Sequence, residues 1–357
     1  MKYIFLVLNL LFSSFVYPFC ESNVDKIKLH YINGMFTDAS GFIANKISIK
    51  SFIQNHMDKQ FFISEVSGTH NVSEFFTSQI FEVGRHKWED DEASDAIIEF
   101  LNGEYNSSSK VTVKEKEKIQ EFLMDINNEY HLTLSEPESI FGLHSVKLLL
   151  DTYTRVILIT HSQGNFYGNA ILSQAYESYS YPDGYKLIDY PMLGIMQLAS
   201  PVDIPGGTLS FVHPKIIGHL TNTEDTVMAL VRATFDSVQA NHTSQVNSLD
   251  RSGHSLIESY LQGLDGQPIK IAKQLTQIAN NLIPYPMHKQ NQASSSAIYQ
   301  FGYSQLNELL DIQFHSKAIY RYEGVTKSKF NQLLTAKSQG GYFNNGIKSH
   351  HNYIKLE

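Results

Sequence analysis

The chain has 357 residues, of which 42% are hydrophobic and 18% charged, and its net charge is −8. That composition is ordinary for a globular protein long enough for one large core or two domains. The negative balance gives no electrostatic footprint for nucleic acid as the main partner.

The chain opens with a leader pattern. Lys2 supplies a short basic start, and Ile4 to Phe15 is an apolar run broken only by Asn9, Ser13 and Ser14. Its length fits a secretory signal over residues 1–22, with a mature chain beginning near Asn23 and a secreted or periplasmic product. No later stretch reaches the roughly 18 apolar residues of a membrane helix, so no stable transmembrane anchor is expected. Cys20 is the single cysteine and lies in the leader, so no disulfide is expected in the mature protein. Asn71, Asn106 and Asn241 each open an Asn-x-Ser/Thr acceptor, which matters only in a eukaryotic secretory route.

Lys26 to Ile32 reads as a strand ending at Asn33-Gly34, and Gln60 to Val66 as a second, closed by a Ser67-Gly68 turn. From Val83 to His131 the chain turns polar and helical, which marks an insertion or lid. Its Trp88-Glu-Asp-Asp-Glu stretch puts acids in the first turn of a helix, where the macrodipole favours them, and lacks calcium-loop spacing. Ser145 to Tyr153 is a helix feeding the strand Arg155–Thr160. After Ser162, Tyr167, Ile171 and Ala175, with Ala170 beside them, make one apolar helical face. Leu193 to Ala199 and Lys215 to Leu220 are strands of buried type. Short apolar strands alternating with helices imply parallel pairing through right-handed crossovers. The result is an α/β architecture whose sites gather at the carboxyl ends of the strands.

At one of those ends stands Thr160-His161-Ser162-Gln163-Gly164. A serine hydroxyl is a weak nucleophile until a base takes its proton and a dipole trap receives the oxyanion. A sharp strand-to-helix turn lifts the hydroxyl above the sheet and aims helix amides at the developing charge. Small flanking residues allow such a turn, hence the G-x-S-x-G elbow; here threonine replaces the first glycine. The elbow calls for an acid and then a histidine, both later in the chain. Asp225, after the Lys215–Leu220 strand, fits the acid, with Glu224 and Asp203 as competitors. His254, in Ser252-Gly-His-Ser before a helical Leu256–Leu261, fits the base. The amide of Gln163 and that of Gly34 or Met35, in the loop after the first strand, are candidates for the oxyanion hole.

Residues 23–283 thus resemble an α/β-hydrolase of the lipase/esterase type, with a mostly parallel sheet and helices on both faces. The resemblance implies a serine carboxylic-ester hydrolase with Ser162, Asp225 and His254 as triad, an ester or lipid substrate, and no metal or organic cofactor. The 15 histidines contain no HExxH-like ligand set. The departures are Thr160, an Asn-Gly in the oxyanion loop, and the polar block before the elbow. The alternative is a non-catalytic binding protein on a hydrolase scaffold.

Residues 284–295, rich in Pro, Gln, Asn and Ser, read as a linker. Beyond it the tail is basic, with eight Lys/Arg against four Asp/Glu from Met287 onward. Leu309–Phe314 and Ala318–Tyr322 are strands, and Thr326 caps a helix carrying Phe330, Leu333 and Leu334. Tyr320-Arg321-Tyr322, Val325, Phe330, Leu334, Ala336, Ser338, Gly340, Tyr342-Phe343-Asn344, Ile347 and Tyr353 resemble the KTSC domain, over residues 296–357. That resemblance implies a small α+β module serving recognition of a partner or of RNA, or packing against the larger domain.

Overall fold

The computed structural model describes residues 26–34, 37–70, 117, 137–182, 184–234, 236–284 and 287–356. The expected leader, the expected lid at 83–131 (Glu117 apart) and Met35 lie outside the described residues.

Five parallel strands make the first sheet: β1 (Ile27–Ile32), β2 (Ser67–Thr69), β3 (Arg155–His161), β4 (Leu193–Leu198) and β5 (Ile217–Leu220), in the order β2-β1-β3-β4-β5. All residues of β3 and β4 are buried, as expected of strands covered on both faces. Among the described residues, five α-helices accompany this sheet: α1 (Ala39–His56), α2 (Pro137–Asp151), α3 (Gly164–Ser178), α4 (Thr226–Thr234) and α5 (Gln267–Asn281). The chain runs outward from β1 to β2 but the other way from β3 to β5. Right-handed crossovers therefore put α1 on the face opposite α2 and α3. Helix α2 packs on α3, and α5 packs on α1 and on β3 to β5.

The strand expected at Gln60–Val66 lies later in the chain. Residues 59–61 form a turn, Phe62 makes an isolated bridge to Ile27, and the ladder with β1 begins only at Ser67. The reason is His30 of β1, whose ring nitrogens lie 3.0 and 2.9 Å from the hydroxyls of Ser67 and Thr69. A buried imidazole needs both partners, and Ser67 and Thr69, two apart on a strand, share one face.

The second sheet is antiparallel, in the order β10-β9-β8-β7-β6: β6 (Asn291–Gln292), β7 (Ile298–Ser304), β8 (Leu309–Phe314), β9 (Ile319–Tyr322) and β10 (Tyr353–Lys355). Helices α6 (Lys327–Thr335) and α7 (Gln339–Phe343) complete this unit. As its sequence suggests, Thr326 caps α6 by accepting the Lys329 amide. Ile298, Phe301, Leu310, Ile312, Val325, Leu333 and Ile347 form a core separate from that of the parallel sheet. The stretch read as a linker is partly built into this unit. It contains a 3-10 turn at Met287–Lys289 and strand β6, which pairs with β7.

The two units meet at the amino-terminal end of β3. Arg155, wholly buried, donates from Nη1 to Leu282 O and to Asn307 Oδ1, both at 2.9 Å. Asn307, in the turn between β7 and β8, donates to Asn280 O at 2.7 Å. Leu306 and Leu356 pack against the larger core. The module therefore sits at the end of β3 opposite Ser162.

Candidate active site

The order β2-β1-β3-β4-β5 reverses direction between β1 and β3, and crevices at such switch points open beyond the carboxyl ends of the strands. Ile32 pairs with Thr160, so Asn33-Gly34 and His161-Ser162 leave the sheet side by side. They are close: a Cβ on Gly34 would lie 2.8 Å from Ser162 Cβ, and one on Gly164 2.5 Å from Asn33 O. Any larger residue at either position would push the β1 loop off the elbow.

Ser162 adopts φ 54°, a left-handed conformation that costs a non-glycine residue about 1–2 kcal/mol. Asn165 holds the turn in place. Its Nδ2 donates to Ser162 O at 2.7 Å and to Leu198 O at 2.9 Å, and its Oδ1 accepts the Thr160 hydroxyl at 2.6 Å. This accounts for threonine in the first elbow position. The hydroxyl is satisfied by Asn165, and the methyl fills the space left by Gly168, where a Cβ would lie 2.6 Å from Thr160 Cγ2. The glycine missing before the serine stands six residues after it.

The three side chains expected as a triad come together. Ser162 Oγ lies 3.0 Å from His254 Nε2, and His254 Nδ1 lies 2.9 and 3.1 Å from the Asp225 carboxylate oxygens. Asp225 and His254 are essentially inaccessible to solvent, and Ser162 nearly so. Asp225 stands at the head of α4, where Oδ1 accepts the Met228 amide at 2.9 Å and the helix dipole favours its charge. The competitors are elsewhere. Asp203 and Glu224 are exposed, and the Asp203 carboxylate takes the amide of Ile204. Gly34 lies against Ser162, and Gln163 is the N-cap of α3 directly after it. Met35 lies outside the described residues.

Five residues to which the sequence motifs assign no role complete the site; Asn165 is one. Tyr260 donates its hydroxyl to Asp225 Oδ2 at 2.8 Å. Burial, and then the Asp225 charge, hold its phenol well above the usual tyrosine range, so it stays a donor. His161 Nε2–H donates to His254 O at 2.8 Å, its ring 4.9 Å from that of His254. Burial, and then His254 beside it, hold His161 well below the usual histidine range, so it is neutral. Asp250 gathers the histidine loop: it accepts the amides of Ser252 and Ser255 at 3.0 and 2.7 Å and the hydroxyls of Ser252 and Ser259. Gly253, at φ 71°, lets that loop approach the acid loop; a Cβ there would lie 2.6 Å from Glu224 O. The sequence signal is proximity for two of them, since His161 and Asn165 lie within three residues of Ser162; Asp250 stands in a polar loop that carries no comparable mark.

Among the described residues, no cluster of three or more His, Cys, Asp or Glu is placed to hold a metal ion, and no helix is long and apolar enough to cross a membrane.

Comparison with known proteins bears on the C-terminal unit. A KTSC domain family model matches residues 294–353. An uncharacterized protein from Stutzerimonas stutzeri (strain A1501) is 36% identical over 64 residues, which is 18% of this chain and 90% of that protein. The crystal structure of a KTSC domain protein from Yersinia pestis is 33% identical and covers 19% of this chain and 94% of its own, with a TM-score of 0.18. The antiparallel unit, whose Tyr320-Arg321-Tyr322 strand and capped α6 lie inside the matched stretch, makes this chain a KTSC-domain protein over residues 294–353.

Proposed function

We propose that the parallel-sheet unit has an α/β-hydrolase fold and is a serine hydrolase that cleaves carboxylic esters through an acyl-enzyme. One observation carries this reading: the unbroken hydrogen-bond chain Ser162–His254–Asp225, built on a left-handed serine at the topological switch point. Surface serines and satisfied core histidines give no reason for such a chain to end on a strained residue at the mouth of a helix.

In the reaction, His254 Nε2 takes the Ser162 proton as Oγ bonds to the ester carbonyl carbon. The charge that develops on the carbonyl oxygen is received by backbone amides, that of Gln163 at the head of α3 and that of Gly34 or Met35 from the β1 loop. His254, now imidazolium and held by Asp225, returns the proton to the leaving alkoxide as the C–O bond breaks. A water molecule then gives its proton to His254 and its oxygen to the acyl carbon, which frees the acid and regenerates Ser162. The leader pattern at residues 1–22 supports an exported enzyme that meets its ester or lipid substrate outside the cytoplasm.

Covalent labelling by a fluorophosphonate probe tests this reading. The purified chain should label, and Ser162→Ala should abolish the label. Failure to label under conditions that modify a known esterase would instead favour a non-catalytic binding protein on this scaffold.

A further inference from the structure

The Asp225 carboxylate has two side-chain donors on one oxygen. Oδ2 accepts Tyr260 Oη–H at 2.8 Å and faces His254 Nδ1 at 2.9 Å. Oδ1 accepts the Met228 amide at 2.9 Å and lies 3.1 Å from His254 Nδ1. Tyr260 Oη also accepts the Asn222 amide at 3.3 Å, a structural bond that phenylalanine would lose together with the one to Asp225. A hydroxyl in a fully buried position, directed at a carboxylate, acts on charge.

Donors that share an oxygen divide its negative charge, so each weakens the other's bond. We propose that Tyr260 is a positioning residue that limits how strongly Asp225 stabilises the His254 imidazolium, and thereby sets the pH above which Ser162 becomes reactive. This rests on the reading of Ser162 as a nucleophile.

The other titratable or charged groups facing the pair leave this role to Tyr260. His161, from β3, donates to the His254 carbonyl and not to the carboxylate. Arg232, from α4, couples electrostatically to Tyr260. Asp250, from the histidine loop, is occupied by Ser252, Ser255 and Ser259. The Tyr260 ring also meets His161 edge-on at 5.7 Å, so the tyrosine braces the histidine beneath the base as well.

The test is the rate of fluorophosphonate labelling of the full chain across pH, compared with Tyr260→Phe. Without the phenol, the undivided carboxylate charge favours imidazolium, and a more alkaline medium is needed to free the base. The midpoint of the variant's profile should lie at higher pH. Labelling on the acid side should fall several-fold, with the alkaline plateau kept within roughly threefold. A variant that labels with the wild-type midpoint, whatever its plateau, overturns the proposal, since a merely structural tyrosine would lower the plateau alone. NMR titration of the His254 ring, assigned by its loss in His254→Gln, gives the same comparison without turnover. An upward shift in Tyr260→Phe supports the coupling, and an unmoved titration refutes it. Absence of labelling in the wild type counts only against the nucleophile.

Discussion

Among the described residues, two aspartates are wholly withdrawn from solvent, Asp225 at the head of α4 and Asp311 in the middle of β8. They differ in what they face. Asp311 meets Arg321 of β9 in a two-pronged bond, 2.8 Å on each arm, and the guanidinium lies 5.7 Å from the Tyr190 ring of the larger unit. Burial pushes the Asp311 carboxyl up, with Arg321 opposing; Arg321, which burial alone would lower, is raised by the Asp311 charge. Asp225 meets an imidazole, a phenol and a helix amide. A carboxylate paired with a permanent cation can lock a structure but has no proton to move. One paired with an imidazole can change the charge of its partner, and that permits chemistry.

The comparison is broken most decisively by activity. Asp225→Asn should lower ester turnover by about 10³- to 10⁴-fold, while Asp203→Asn leaves it within about twofold. Initial rates on an activated ester measure both, and the reverse ranking would move the acid to Asp203. The second aspartate should respond in the opposite register. Removing one partner of a buried ion pair costs about 3–5 kcal/mol. Arg321→Met should therefore lower the melting temperature markedly, yet leave turnover per folded molecule intact at temperatures where the variant is folded. An Arg321→Met chain that melts like the wild type would remove the contrast.

A smaller effect sharpens it through pH. Burial, then Lys46 and Lys28, hold His30 down at about 4, against 6.5 for the free side chain. In the window between these values the unfolded chain binds the proton and the folded one does not. Stability is therefore full above about 6.5 and is lost as pH falls toward 4, by roughly 3 kcal/mol over the window. His161, lowered for the same reason, adds to the slope. Melting temperature against pH should drop across this range, and His30→Gln should flatten part of the drop. An unchanged slope in that variant would show that the strand clip to Ser67 and Thr69 is not its source.

Legibility in the sequence differs from element to element. Strands β3 and β4 stand out as short, largely apolar runs, and α3 as a 3.6-period face, because burial dictates residue type over several positions. Strand β2 is not legible in the sequence, because its residues, Ser67, Gly68 and Thr69, look like a turn. Their place in the sheet comes from His30, 37 and 39 residues away. Within 284–295, polar Asn291 and Gln292 pair with β7 through backbone groups, which composition does not register.

The sequence by itself determined the α/β alternation, the serine at a strand-to-helix break, the later arrival of Asp225 and His254, and the KTSC signature of the tail. All of these are local patterns or orders along the chain. Only the tertiary structure decided that the Asp225 carboxylate and not Asp203 reaches His254, and that Gly168 makes room for Thr160. It also decided that the module is tied to the buried Arg155 at the far end of β3, and that Tyr260 shares the acid's oxygen. These are contacts between residues far apart in sequence, fixed by strand register and helix placement, and a single chain of letters carries no distance between them.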